Sequence, residues 1–337
     1  MKKGTWVIAL LVLVFAVSIV AGCGGSSDKA PAAQQPAKKI VVGFSQVGAE
    51  NEWRVAMSRI MKEEFAKQKD MELLFSDGQG KQENQLKAVR TFIQQKVDYI
   101  VIAPVVQTGW DGVLQEAKEA KIPVVVINRA LKASVGKTED FIVTFIGPDN
   151  MDAGRLSAKF LIEKFKDAKG PINVVQLEGT VGASSAVERK LGFEEIIKGQ
   201  DKLKIVKSQS GDYTRAKGKE VMEAFLKSAK AEGIKIDAVF SQSDDMGIGA
   251  IQAIEEAGLK PGKDMLLVSI DGVKGAFEAM IAGKQAATIE NPVDYAVLLI
   301  PTIRDIQAKK TLPAWVKLPN KVYPAETAAQ ELPKRVY

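Results

Sequence analysis

Short apolar, β-branched runs alternate along the chain with longer segments whose apolar residues recur at helical spacing. The run 40–44 (IVVGF) precedes a helix-period segment through Trp53, Met57, Ile60 and Met61, and 71–75 (MELLF) precedes one through Leu86, Val89, Phe92 and Ile93. The runs 99–102 and 124–127 flank another such segment, through Val113, Leu114 and Ala117. The rhythm restarts at 172–175 and continues through runs at 203–206, 238–240 and 266–270, with helical segments between them that end at Ile197, pass through Met222, Phe225 and Leu226, and end at Ala257. Parallel strands need crossover helices and bury both faces, so two consecutive blocks of this kind predict an α/β protein of two doubly wound, parallel-sheet lobes.

In such sheets ligands sit beyond the carboxyl ends of the strands, which directs attention to the polar residues just after each run. These are Ser45 and Gln46 through Glu50 and Arg54, then Asp77, Asn128 and Arg129, and, in the second block, Glu178, Arg189, Ser243, Asp244, Asp245, Asp271, Glu290 and Asn291. Arg129 follows a buried-type strand, so its guanidinium fork is placed either to donate to two neighbouring hydroxyls or to pair across the lobes. Asp271, followed by Gly272, can accept from two hydroxyls or cap the helix that begins near Val273. Asp244 and Asp245 can cap a helix starting at Met246. Glu50 and Arg54 lie one helical turn apart, as cleft residues or as a surface pair. Trp53, Trp110, Phe44 and Tyr213 can stack on the C–H face of a ring or pack the core, and Phe44, which closes a buried strand, favours the core.

The chain opens Met1-Lys2-Lys3, followed by an apolar stretch from Trp6 to Val20 and then Ala21-Gly22-Cys23. A charged start, an apolar stretch short of a comfortable membrane span and small residues before a cysteine predict a secretory signal over 1–22. Residues 24–39, GGSSDKAPAAQQPAKK, hold no large apolar residue and read as a flexible tether. Cys23 is the single cysteine and histidine is absent, which excludes an internal disulfide, a zinc cluster, and Ser-His-Asp or Cys-His catalysis. The 337 residues carry 47 basic and 41 acidic side chains, and removing 1–22 takes away two lysines and no acid. Basic and acidic residues are interspersed, without the clustered face that nucleic-acid binding requires, so no nucleic-acid partner is expected. Gly247-Ile248-Gly249 is half of a dinucleotide fingerprint inside a helical segment, and no cofactor is expected from it.

Taken together and in order, Val42-Gly43-Phe44-Ser45-Gln46-Val47-Gly48, Trp53-Arg54, Asp77-Gly78-Gln79, the stretch 81–85 (KQENQ), Ile102-Ala103-Pro104, the stretch 179–184 (GTVGAS), Ser210-Gly211-Asp212, the stretch 249–254 (GAIQAI) and Ser269-Ile270-Asp271-Gly272 resemble the periplasmic sugar-binding proteins of the ribose-binding type, and the galactofuranose-binding branch in particular. The likeness spans from Ile40 to about Ala329. It implies the type I periplasmic binding protein fold, with three crossings between the lobes near Phe145 to Gly147, Glu290 to Asn291 and Asn320 to Lys321. One lobe would comprise 40–146 with about 291–320, the other 147–290 with about 321–337. The resemblance makes Arg189 the second-lobe sugar-binding arginine and puts Glu50 and Arg54 in the cleft. Asn128 stands where the family usually has Asp, and Ser243 where it commonly has Asn. The Val-Ala-Gly-Cys sequence resembles a lipobox, which makes Cys23 an acylated anchor. The implied function is that of a monomeric, lipid-anchored extracytoplasmic protein that binds a monosaccharide without cofactor or metal and presents it to an ABC permease. A sensor delivering its closed form to a signalling receptor is the alternative. An enzyme of doubly wound fold lacks its glycine loop and proton-transfer group here, and a repressor lacks a basic DNA-binding module. The ligand set is then Glu50, Trp53, Arg54, Asp77, Asn128, Arg129, Arg189, Tyr213, Ser243, Asp271 and Asn291.

Overall fold

The structure is a computed structural model describing residues 38–199 and 201–337; the expected signal segment, Cys23 and residues 24–37 of the tether lie outside the described residues. The first block runs β1 (Ile40–Gln46), α1 (Glu52–Ala66), β2 (Met71–Asp77), α2 (Gln82–Gln94), β3 (Tyr99–Ile102), α3 (Asp111–Glu119), β4 (Val124–Ile127) and β5 (Thr144–Pro148). The second runs α4 (Asn150–Lys164), β6 (Ile172–Glu178), α5 (Ser184–Ile197), β7 (Leu203–Ser210), α6 (Arg215–Glu232), β8 (Ala238–Ser241), α7 (Asp244–Glu256), β9 (Leu266–Asp271), α8 (Lys274–Ile281) and β10 (Ala287–Glu290). The chain closes with α9 (Tyr295–Gln307), β11 (Trp315–Leu318), β12 (Val322–Pro324) and the short α10 (Ala328–Glu331).

These strands form two six-stranded sheets, ordered β11-β5-β4-β3-β1-β2 and β12-β10-β9-β8-β6-β7. Among the described residues every pairing is parallel except β12 against β10. β3, β4 and β8 are buried along their whole length because helices cover both faces. In the first lobe, Val42, Phe44, Met57 and Val101 pack on one side of the sheet, and Phe92, Ile100, Leu114 and Val126 on the other. In the second, Met222, Phe225, Val239 and Ile254 face one side, and Phe193, Phe240, Val268 and Ile289 the other.

The chain passes between the sheets three times. β5 keeps Gly147 and Pro148 in the first sheet, opposite Lys317 and Leu318, so the first passage follows Pro148, just beyond the expected 145–147. The second lies between Glu290 of β10 and Tyr295, which packs into the first-lobe core with Val293 and Leu299. The third lies between Leu318 and Val322, where the Asn320 amide donates to the Asp149 carbonyl (2.7 Å) and the Asp152 carboxylate (3.0 Å), binding two passages together.

Candidate functional site

The lobes meet across a cleft. From the first lobe, the Asn51 amide donates to the Tyr213 carbonyl (3.0 Å), Glu52 N–H to Asp245 Oδ2 (3.2 Å), Gln107 N–H to the Gly182 carbonyl (2.9 Å) and Ala130 N–H to Ser184 Oγ (2.8 Å). Between them lies a small, tightly closed cavity lined by Asn51, Trp53, Arg54, Asn128, Arg129, Ser185, Arg189, Tyr213, Asp271 and Asn291. A wider hollow of about 750 Å³ lies against α6 and α7 on the second lobe, with Leu226, Ala229, Ile236 and Met265 among its walls. It is open and largely apolar and gathers no buried polar groups, so a polyol would find few partners there.

Arg54, Arg129 and Arg189 are at most 3 % exposed, yet all three are charged, so each must be held by partners. Arg54 donates to Glu50 Oε1 (3.3 Å), Gln46 Oε1 (3.3 Å) and Asn128 Oδ1 (3.1 Å), and lies 4.8 Å from the Trp53 ring centre. Arg129 donates to the Val105 carbonyl (3.0 Å), with Glu50 at 3.7 Å and the Tyr213 ring at 5.0 Å. Arg189 donates to Asn150 Oδ1 (3.2 Å) and the Gln242 carbonyl (2.5 Å), with Asp271 Oδ1 at 3.7 Å. Burial, then the Arg54 charge, lower the Arg129 pKa to about 10, still far above neutrality. Glu50 is penalised by burial, but Arg54 and Arg129 outweigh that and hold its pKa below the usual carboxylate value. Asp271 has one arginine near it against Asp244 and Asp245; burial dominates and pushes its pKa up to about 8.

The walls are built by strand ends and tight backbone. Asn128, Tyr213 and Asp271 have positive φ (67°, 58° and 138°), conformations that turn their side chains away from the direction a continuing strand or helix would give. Gly179 makes room for Tyr213, since a Cβ there would lie 2.0 Å from the ring's Cζ. The Tyr213 hydroxyl and Ser185 Oγ share a 2.8 Å hydrogen bond, and Trp53 Nε1 donates to the Asn291 carbonyl (2.6 Å).

Of the expected ligand set, Trp53, Arg54, Asn128, Arg129, Arg189, Tyr213, Asp271 and Asn291 line this cavity. Glu50 stands behind Arg54 and Arg129 as their counter-ion. Two residues are placed elsewhere. Asp77 ends β2, the edge strand of the first sheet, where its exposed carboxylate accepts from Gln79 N–H (2.7 Å) away from the cleft. Ser243 is the N-cap of α7, accepting from Met246 N–H, because the helix begins at Asp244 rather than Met246. Asp244 and Asp245 are therefore first-turn residues. Asp244 reaches Ser269 Oγ, Thr288 Oγ1 (2.8 Å), Gly272 N–H (2.6 Å) and Val273 N–H (2.9 Å), so it, and not Asp271, ties down the start of α8. Trp110 and Phe44 are core residues. Asn51 and Ser185 line the cavity without having been expected. Asn51 was detectable as an Asn just before a helix, and its Oδ1 does cap α1.

Two α/β lobes joined by three passages and closing on a small polar cavity define a binding protein that captures its ligand between domains. The chain belongs to the periplasmic binding protein family, whose domain model matches residues 42–311. It is 47 % identical over 301 residues to the galactofuranose-binding protein YtfQ of Escherichia coli, covering 89 % of this chain and 92 % of that one. The binding protein of the arabinose ABC transporter of Shewanella sp. ANA-3, solved with α- and β-L-arabinofuranose, is 46 % identical with a TM-score of 0.82 over 88 % of this chain and 95 % of that one. A Mycobacterium smegmatis protein solved with β-D-fucofuranose is 43 % identical with a TM-score of 0.82, covering 87 % and 94 %. The chain is a binding protein of the extracytoplasmic compartment and not an enzyme.

Proposed function

We propose that this protein binds one monosaccharide, in furanose form, in the interlobe cavity and presents the closed complex to the permease of an ABC importer. One observation carries the proposal. The cavity brings three buried arginines, the buried Asp271 and three asparagines to one space between the lobes, beside Trp53 and Tyr213. Sugar hydroxyls both donate and accept, so a site offering guanidinium and amide donors opposite the oxygens of Asp271 and the asparagines matches them, and aromatic faces cover the ring's C–H side. The furanose relatives support the ring form. A ligand touching both lobes stabilises the closed form by its differential contacts, which gives the permease a state to recognise. Acylated Cys23 would tether the domain to the membrane; a Cys23→Ser protein is expected in the soluble fraction, and its retention on membranes would contradict the anchor.

The test is thermal unfolding of residues 38–337 with D-galactose, L-arabinose, D-fucose, D-fructose and D-ribose. A ligand at about 100-fold excess over Kd adds about 2.7 kcal/mol, a rise of several degrees. One or two of these sugars are expected to give that rise, and no rise with any of them would overturn the proposal.

A further inference from the structure

We infer that Tyr295, which lies behind the cavity wall, is a positioning residue that fixes the orientation of the two asparagine amides facing the sugar and so sets which hydroxyl pattern is accepted. The inference rests on the sugar-binding reading of the same cavity.

Tyr295 is 1 % exposed, on the first turn of α9 just past the second passage. Its hydroxyl joins two polar strings. On one side Arg54 Nη2 donates to Asn128 Oδ1 (3.1 Å), and Asn128 Nδ2 donates to the Tyr295 hydroxyl (3.1 Å). On the other the hydroxyl donates to Asn291 Oδ1 (3.5 Å), and Asn291 Nδ2 donates to Asp271 Oδ1 (3.4 Å). The direction is dictated from the Arg54 end, since a guanidinium only donates and each amide or hydroxyl along the string then accepts from one neighbour and donates to the next. Arg54 therefore turns the Asn128 oxygen toward itself and the NH₂ toward Tyr295, and the Tyr295 hydroxyl in turn draws the Asn291 oxygen toward itself, leaving the Asn291 NH₂ for Asp271 Oδ1. The group between must accept from one amide and donate to the other, which a hydroxyl does. Burial pushes the phenol pKa up, so the proton stays available. The string runs from first-lobe Arg54 to second-lobe Asp271, and four of its five members line the cavity.

This also accounts for Asn128. An aspartate there would face the Tyr295 hydroxyl with a second acceptor beside Asn291 Oδ1, and one proton cannot serve both.

The test is calorimetric titration of residues 38–337 as wild type, Tyr295→Phe, Asn128→Ala and the double variant, with D-galactose, L-arabinose, D-fucose and D-fructose. Phenylalanine keeps the edge-on packing against Trp53 (6.1 Å between ring centres) and removes only the hydroxyl. Tyr295→Phe is expected to bind the preferred sugar about tenfold more weakly and to compress the preference among the four, with the thermal midpoint of the sugar-free protein within a few degrees of wild type. In the Asn128→Ala background the same change should cost less than about twofold, because the amide it orients is gone. Asn128→Asp, which leaves Tyr295 in place, is expected to alter the preference in a folded protein. Wild-type affinity and preference in Tyr295→Phe, an equal loss in both backgrounds, or an unchanged preference in Asn128→Asp would each overturn the inference. Failure of wild type to bind any of the sugars would overturn the sugar-binding reading itself, and the inference with it.

Discussion

Asn128, Tyr213 and Asp271 carry backbone conformations that cost on the order of 1–3 kcal/mol each. The surrounding bonds hold them there: Gly179 beside the Tyr213 ring, Asn51 on the Tyr213 carbonyl, and Asp244 on the two N–H groups after Asp271. In return the three side chains face the cavity from both lobes. Asp271 adds an electrostatic cost. Its pKa, raised by burial to about 8 from an ordinary value near 3.8, means that the folded protein holds a proton that the unfolded chain has released between those pH values. Its contribution to stability is thus fully present below about pH 4 and is lost as pH rises through 8. Asp271→Asn removes that titration. In thermal melts without sugar, the variant is expected to match wild type most closely near pH 4 and to gain on it progressively toward pH 8; a midpoint difference constant across that range would contradict the shift. Which strand-end residues would reach the cavity was partly legible in the sequence. Asn128, Arg129, Asp271 and Asn291 follow central strands and do so, whereas Asp77 follows an edge strand and Ser243 bends back to cap its helix. Tyr295 left no signal, since it opens a helix that the strand-and-helix rhythm had not reached.

At the scale of elements, the loop from β9 into α8 depends on one carboxylate from another helix. Asp244 on α7 is fully buried and accepts from Ser269, Thr288, Gly272 and Val273. Burial raises its pKa, and these four bonds offset only part of the rise. Asp244→Ala leaves two backbone donors and two hydroxyls without their partner, at about 1–3 kcal/mol for each buried group left unpaired. Urea denaturation is expected to show a loss of at least about 3 kcal/mol, and a loss below 1 kcal/mol would show that the loop holds itself. Short but unbroken apolar runs made β1, β3, β4, β8 and β9 readable from the sequence, because strands buried on both faces are uniformly apolar. β5 carries Gly147 and Pro148, β12 is three residues long and antiparallel, and α4 buries Asn150 and Ser157 on its packed face. Those compositions blur the pattern, and so the three passages rested on resemblance alone.

On the whole-molecule scale, the ion pairing across the closed cleft is weak. Arg215 bridges Glu52 of the first lobe (2.8 Å) and Asp245 of the second (2.9 Å), but Arg215 and Glu52 are 38 % and 51 % exposed, and such pairs contribute at most about 1 kcal/mol. The stronger groups, Arg54, Asn128 and Arg129 on one side and Arg189 and Asp271 on the other, face a common space, so a ligand bridging them adds its differential contacts to the preference for the closed form. The central claim, that a monosaccharide is held in this space, is tested most directly by a crystal structure with the sugar that raises the unfolding midpoint. The expected result is one ring between Trp53 and Tyr213, with hydroxyls within about 3 Å of Arg129, Arg189 and Asp271. A sugar seated instead in the hollow against α6 and α7, or on one lobe with the cleft left open, would contradict it.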